Sequence, residues 1–146
     1  MALSFSLTSV AKIIPLRHEV LRAGKPIETC YFNGDDEEET LHFSAHLNDQ
    51  VVGCVSFIKN THPKIEDTQA YQLRGMAVSP SLRGMHIGSK LLIYAEGHLK
   101  TLKENVIWCN VRHKAIPFYQ KHGYHTLGDV FDIEMIGPHV LMYKHL

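Results

Sequence analysis

The sequence predicts a single α/β domain over residues 1–146, in which helices flank a mixed, mostly antiparallel sheet in the order β-α-β-β-β-α-β-α-β-β. Three observations support this fold class. The length of 146 residues suits one domain. Segments with helical apolar spacing are interspersed with β-branched and aromatic segments that are typical of strands. A glycine-containing turn also joins a predicted strand to the longest helical segment.

The first half of the chain is predicted to form one helix and four strands. Ser6–Ile14 is interpreted as the first strand, and Pro15 then opens a helix that ends at Gly24. A turn at Asn48-Asp49 joins two strands into a hairpin. The remaining predicted strands of this half span 40–47, 50–58 and 69–78. Gly75 inside the last of them indicates a bulge or a close approach of the backbone.

The acidic run Asp35–Glu39 interrupts this half of the chain. A run of like charges is typical of a solvated loop, so we expect this segment to be exposed. The alternative is a site that attracts a cationic substrate through its negative potential.

The second half of the chain begins with the longest helix, which is predicted to start near Gly88-Ser89. A short buried strand at 105–111, a helix at 114–122 that Gly123 caps, and strands at 124–131 and 139–144 follow. Gly137-Pro138 is predicted to be the turn between the last two strands. The apolar face of the longest helix comprises Leu91, Leu92, Ala95, Leu99 and Leu102.

The turn before the longest helix has the composition of an anion site. The first N–H groups of a helix have no internal partners and carry partial positive charge, so they suit a phosphate. Gly84 and Gly88 allow the backbone to approach a ligand closely, and Arg83 adds a permanent cation. We call Arg83–Ser89 the phosphate turn. The alternative is an ordinary strand-to-helix connection.

Composition excludes several classes of protein. Lys and Arg together number 15, as do Asp and Glu, so the formal charge is zero and general nucleic-acid binding is not expected. No apolar run approaches the length of a membrane span, and the N-terminus lacks the basic region of a signal peptide. The odd set Cys30, Cys54 and Cys109, without a CxxC spacing, fits reduced thiols in a cytoplasmic protein.

The chain contains eleven histidines. His42 and His46 have the spacing of helical metal ligands, but LHFSAHL has the pattern of a strand, in which they would lie about 13 Å apart. No HExxH or Cys/His motif accompanies them, so we expect no metal site.

Two motifs give the chain a family resemblance. MAVSPSLRGMHIGSKLL resembles the signature of the GNAT superfamily of acyl-CoA-dependent N-acetyltransferases, and KAIPFYQKHGY resembles its second block. The resemblance implies a GNAT-like fold and direct transfer of the acetyl group from acetyl-CoA to a primary amine on a small molecule or peptide. It also allows a homodimer. The alternative is a non-catalytic acyl-CoA-binding or sensing domain of the same fold.

The resemblance implies roles for particular residues. The phosphate turn would hold the pyrophosphate, a strand segment would align the pantetheine arm, and Tyr119 would be the general acid. His86 stands where the family usually has glycine, and Arg112 stands where it often has asparagine, so Asn110 is taken as the pantetheine contact instead. The expected cofactor-binding residues are Met76, Ala77, Val78, Arg83, Gly84, Met85, His86, Ile87, Gly88, Ser89 and Asn110.

The acceptor side is less defined. Alternation places Gln72 and Arg74 on the same face of their strand as Met76 and Val78, and an arginine there favours a substrate carboxylate or phosphate. His139 lies in a loop that borders the same pocket in this interpretation.

The sequence identifies no general base. The candidates are Glu28, His42, His139 and Asp132, or a chain of water molecules. Cys54 and Cys109 lie in apolar strands without a histidine partner, so they are expected to be core thiols and not nucleophiles.

Overall fold

The computed structural model describes residues 2–146, which form seven strands and three α-helices around one sheet. The sheet has the strand order β1-β2-β3-β4-β5-β7-β6, and every neighbouring pair is antiparallel except β4 and β5. No helix in this described part is long and apolar enough to cross a membrane. The elements are β1 Leu3–Thr8, α1 Val10–Leu21, β2 Leu41–Leu47, β3 Gln50–Lys59, β4 Ala70–Val78, α2 Ile87–Thr101, β5 Val106–Arg112, α3 Ile116–Lys121, β6 His125–Ile133 and β7 Gly137–His145.

The predicted order of elements is confirmed, but the predicted first strand is wrong beyond Thr8. The strand ends there and α1 begins at Val10, so Pro15 lies inside the helix and does not open it. Ile13, Ile14 and the polar Arg17 are buried at helical spacing. The sequence hides the start of α1 for two reasons. One of the buried positions of the helix is the polar Arg17, and Pro15 is a residue type that commonly opens a helix.

The predicted turn at Gly137-Pro138 is also wrong. The turn lies at residues 134–136, where Met135 has φ +67°, and Gly137 and Pro138 begin β7 opposite Ile133 and Asp132. By contrast, Asn48 and Asp49 both adopt positive φ in the tight hairpin between β2 and β3, as their sequence predicts.

The helices cover both faces of the sheet. The larger core lies on the α2 side and includes four of the five predicted face residues, Leu91, Leu92, Ala95 and Leu99. Leu102 follows the last helical residue and is exposed. A smaller core on the α1 side joins Ile13 and Leu16 to the sheet. Tyr119 of α3 packs in the larger core, which fixes α3 beside α2.

Strand β4 contains the bulge that Gly75 predicts. Opposite β3, Arg74 pairs with Ser56 and Ala77 pairs with Cys54, so two residues of β4 face one residue of β3. Gly75 has φ +66°, which is the left-handed conformation that glycine adopts without strain.

The bulge corrects one prediction about side-chain direction. Leu73 packs in the α2-side core before the bulge, and Met76 and Val78 pack there after it. Gln72 and Arg74 therefore face the α1 side, opposite to Met76 and Val78. The extra residue inverts the alternation, so the expectation that all four share a face is wrong.

Strands β4 and β5 part shortly after they meet. Their parallel pairing covers Ala70, Tyr71 and Gln72 opposite Val106, Ile107 and Trp108, and then stops. The edge of β4 that faces β5 is unpaired from Leu73 to Val78, and the space between the two strands forms a cleft.

Candidate active site

The cleft between β4 and β5 holds a cavity of about 570 Å³. It receives side chains from α1, the loop before β2, β4, β5, α3 and the β6–β7 hairpin. Those of the predicted site residues that border it are Gln72, Arg74, Met76, Arg83, Asn110, Tyr119 and His139. The other predicted residues, Ala77, Val78 and 84–89, lie outside its lining, in the continuation of β4 and at the start of α2.

The phosphate turn presents an uncapped helix N-terminus. No side chain caps α2, so the first N–H groups of this 15-residue helix remain available to a ligand. Gly84 has φ +94°, and a Cβ placed there would contact nothing within 4 Å. Arg83 and Gly84 are both exposed. This arrangement suits a phosphate group.

The backbone conformation of His86 explains why the family usually has glycine at this position. It adopts the left-handed conformation with φ +58° and ψ +29° immediately before α2. Glycine occupies this region freely, whereas other residues do so at a cost of about 1–2 kcal/mol. The family's usual glycine therefore corresponds to a backbone requirement, which histidine meets here. Its side chain is exposed.

Several residues of the phosphate turn can contact a ligand only through the backbone. The side chain of Ile87 is buried, and that of Met85 packs against the same core. The hydroxyl of Ser89 forms a 2.9 Å hydrogen bond with Nε2 of His122, which ties the start of α2 to α3.

Tyr119 borders the cleft from α3. Its ring packs edge-on against Phe118 and Tyr124, with centroid separations of 5.0 Å and 5.4 Å. Burial raises the pKa of its phenol well above the ordinary value, and the neighbouring Cys109 acts in the same direction. Tyr119 is therefore a neutral hydrogen-bond donor at physiological pH.

His139 is the one candidate base whose side chain borders the cavity. Its Nδ1 donates a 2.8 Å hydrogen bond to the carbonyl of Gly137, so a neutral ring carries its lone pair on Nε2. Glu28 and Asp132 are exposed outside the lining. His42 uses both ring nitrogens in the buried network described next.

A buried network braces the α1 side of the sheet. The guanidinium of Arg17 donates to both carboxylate oxygens of Asp35, at 2.7 Å and 3.1 Å, to the carbonyl of Cys30 and to the hydroxyl of Ser56. That hydroxyl donates to Nδ1 of His42 at 2.6 Å, and Nε2 of His42 donates to the carbonyl of Asp35 at 3.1 Å. The prediction that the whole acidic run is solvated is therefore wrong at Asp35, the member whose carboxylate pairs with a buried arginine.

This network lies directly behind the bulge of β4. A Cβ added to Gly75 would meet the Phe32 ring at 3.0 Å and Nε of Arg17 at 3.3 Å. The bulge therefore packs so closely against Phe32 and Arg17 that the position of Gly75 has no room for a side chain.

The three cysteines belong to the buried core. Cys30, Cys54 and Cys109 are all buried and free. Burial raises the pKa of Cys54 to about 12 and that of Cys109 further still. Among residues 2–146, no cluster of three His, Cys, Asp or Glu side chains is arranged to hold a metal ion.

Sequence reasoning missed several residues that line the cleft. Phe32 and Arg22 border the cavity from elements remote in sequence, and no local pattern signals their approach. Arg112 and Lys114 also border it. Asn110 and Arg112 lie two residues apart on β5, and both border the cavity.

Comparison with known proteins agrees with this geometry. A sequence model described as the acetyltransferase (GNAT) family matches residues 10–124. YitI of Bacillus subtilis strain 168, an uncharacterized N-acetyltransferase, is 36% identical over 138 residues, which are 94% of this chain and 93% of that protein.

Solved structures show the same fold. ElaA of Escherichia coli superposes with a TM-score of 0.78 at 17% identity, covering 98% of this chain and 99% of ElaA. An aminoglycoside 6'-N-acetyltransferase complexed with coenzyme A gives a TM-score of 0.72 at 17% identity, covering 97% of this chain and 96% of that one. The chain therefore belongs to the GNAT family of acyl-CoA-dependent N-acetyltransferases.

Proposed function

We propose that the protein transfers the acetyl group of acetyl-CoA directly to a primary amine. The observation that carries this proposal is the parting of β4 and β5 in front of the uncapped N-terminus of α2. An unpaired strand edge can hydrogen-bond the amides of a pantetheine arm, and the helix terminus can bind its pyrophosphate. Three buried free thiols also fit the reducing conditions of the cytoplasm, where we place the protein.

The donor half of the site fits acetyl-CoA. The backbone of the phosphate turn and the Arg83 side chain would hold the pyrophosphate. The backbone of Met76, Ala77 and Val78 would align the pantetheine arm, and an N–H group of Met76 or Ala77 would polarise the thioester carbonyl. Asn110, which is exposed at the opposite wall, would contact the same arm.

The transfer itself forms one bond and breaks one. The amine nitrogen attacks the thioester carbonyl, a C–N bond forms, and the C–S bond breaks to release the CoA thiolate. Tyr119 mainly stabilises that thiolate by donating a hydrogen bond to it, because a phenol is a weaker acid than a thiol, and it delivers a proton once the site is desolvated. The proton that the amine loses balances the one that the thiolate gains.

We propose His139 as the group that accepts the amine proton. Its Nε2 carries the lone pair, and it borders the same cavity as Tyr119. A base in this position keeps the attacking nitrogen uncharged while the C–N bond forms.

Replacing His139 tests this role. We expect His139→Gln to lower kcat on the order of 100-fold near neutral pH, the usual effect of losing a general base. The difference in kcat between this variant and the unsubstituted protein should decrease as pH rises, because a larger fraction of the acceptor amine is then already deprotonated when it binds. Steady-state kinetics across pH measure this, with His125→Gln as a control in an exposed position outside the cavity. A deficit that is constant with pH would point to a structural role.

A screen of amines with acetyl-CoA tests the function itself. We expect CoA release, measured with a thiol reagent, to depend on the added amine, and mass spectrometry to find a product heavier by one acetyl group. Acyl-CoA binding without amine-dependent release from any amine would favour the alternative, a non-catalytic acyl-CoA sensor.

A further inference from the structure

The acceptor end of the cleft is built around one aromatic ring. The guanidinium carbons of three arginines lie near the centroid of the Phe32 ring, at 4.1 Å for Arg17, 5.6 Å for Arg22 and 4.8 Å for Arg74. The ring attracts each cation through its π face. Phe32, Arg22 and Arg74 border the cavity, so this cluster faces the space where an acceptor binds.

In the part of the chain that the structure describes, only one of these three arginines has an acidic partner. Arg17 is fully buried and paired with Asp35. Arg22 and Arg74 form no salt bridge with any acidic side chain of residues 2–146. The single side-chain hydrogen bond found for Arg22 goes to the carbonyl of its neighbour Leu21. We call Arg22 and Arg74 the arginine pair.

The surroundings of the arginine pair are one-sided in charge. Among residues 2–146, no aspartate or glutamate lines the cavity, whereas Arg112 and Lys114 also border it, in addition to Arg83 of the proposed pyrophosphate site. Burial lowers the pKa of Arg74, and the nearby Arg17 and Arg22 act in the same direction, while Asp35 opposes them. Holding like charges together at a half-buried site is unfavourable unless an anion relieves it.

The proposed pyrophosphate site does not account for the arginine pair. The pyrophosphate is assigned to the turn that follows β4, and Arg74 precedes the end of β4 by four residues, about 13 Å along a strand. Arg74 instead adjoins the bulge at Gly75, and Arg22 follows the last residue of α1. The pair therefore lies at the thioester end of the cleft.

We propose that the acceptor is an amine that also carries an anionic group, a carboxylate or a phosphate ester, and that the arginine pair binds this group. The inference rests on the proposed acetyl transfer and names its substrate class. The planar donors of a guanidinium match both oxyanions, and the pair would hold the anion while the amine faces the thioester. Polycationic acceptors, such as aminoglycosides and polyamines, are disfavoured by the same charges.

Matched acceptors test the proposal. Each free L-amino acid is compared with its L-amino acid amide, which keeps the amine and replaces the carboxylate with a neutral group. O-phosphoethanolamine is compared with ethanolamine, and spermidine represents a polycation. We measure kcat/KM by CoA release, and in parallel the binding of each compound to the CoA-loaded protein by calorimetry.

We expect an anionic amine to exceed its neutral partner on the order of 10- to 100-fold in kcat/KM, which is the effect of a hydrogen bond between charged groups. The comparison that gives the larger ratio, amino acid to amide or O-phosphoethanolamine to ethanolamine, then identifies the anion as a carboxylate or a phosphate. Arg74→Ala and Arg22→Ala should each reduce this ratio without raising the KM for acetyl-CoA. Lys12→Ala, which removes an exposed charge of α1 outside the cavity, should leave the ratio unchanged.

The outcomes separate this inference from the function on which it rests. Binding of anionic amines without acetyl transfer would refute the proposed transferase activity and support the proposed anion site. Equal turnover of neutral or polycationic amines would keep the transferase and refute the anion site. The anion site is likewise overturned if no anionic compound binds or reacts, or if Arg74→Ala raises the KM for acetyl-CoA instead.

Discussion

Tyr119→Phe is expected to lower kcat on the order of 100-fold while the dissociation constant for CoA stays nearly unchanged. The substitution removes the one hydroxyl that faces the cleft from α3 and leaves the ring packing intact, since Phe118 and Tyr124 contact the ring itself. Without that donor, the CoA thiolate leaves with no hydrogen bond to stabilise it. Steady-state kinetics and calorimetry with CoA measure the two quantities.

The control for Tyr119 is Tyr94→Phe, which removes a hydroxyl from an exposed position on α2. It should leave both kcat and CoA binding as they are. Full activity of Tyr119→Phe would remove the tyrosine from the mechanism, and the proton of the thiol would then come from solvent.

Asp35→Ala is expected to destabilise the protein by about 3–5 kcal/mol, the usual cost of leaving a buried charge without its partner. Asp35 accepts two hydrogen bonds from Arg17 and one from the backbone N–H of Phe32, so its loss leaves the guanidinium with only the neutral Cys30 carbonyl and Ser56 hydroxyl. Urea unfolding measures this as a lower midpoint with a similar slope.

The acidic run supplies the control for this experiment. Asp36→Ala removes the same charge from the next residue, which is exposed, and should change stability by no more than about 0.5 kcal/mol. The double variant Arg17→Met/Asp35→Leu should lose less than the sum of its two single variants, since neither charge is then left alone. Additive losses would show that the two side chains do not act as a pair.

Sequence reasoning succeeded where the signal is local. The Asn48-Asp49 turn, the bulge at Gly75 and the Gly123 cap each follow from a backbone conformation that a few residue types prefer. The motifs around the phosphate turn and Tyr119 belong to short segments, so a resemblance in those segments was enough to identify the family.

It failed where the outcome depends on distant partners. Asp35 is one of five consecutive acidic residues, and it alone is buried because Arg17 of α1 reaches it. The face of Arg74 depends on how the bulge is counted, since one extra residue inverts the alternation of β4. Arg22, at the end of α1, contacts Phe32, in a loop ten residues later, and no periodicity in the sequence predicts this contact.

The parting of β4 and β5 also bears on how such an enzyme changes over evolution. In the function proposed here, the donor half of the cleft would rely largely on main-chain groups, which every residue type supplies, whereas the acceptor half would rely on side chains from α1, the loop before β2 and β4. Substitutions can therefore retarget the acceptor while the donor half is inherited unchanged.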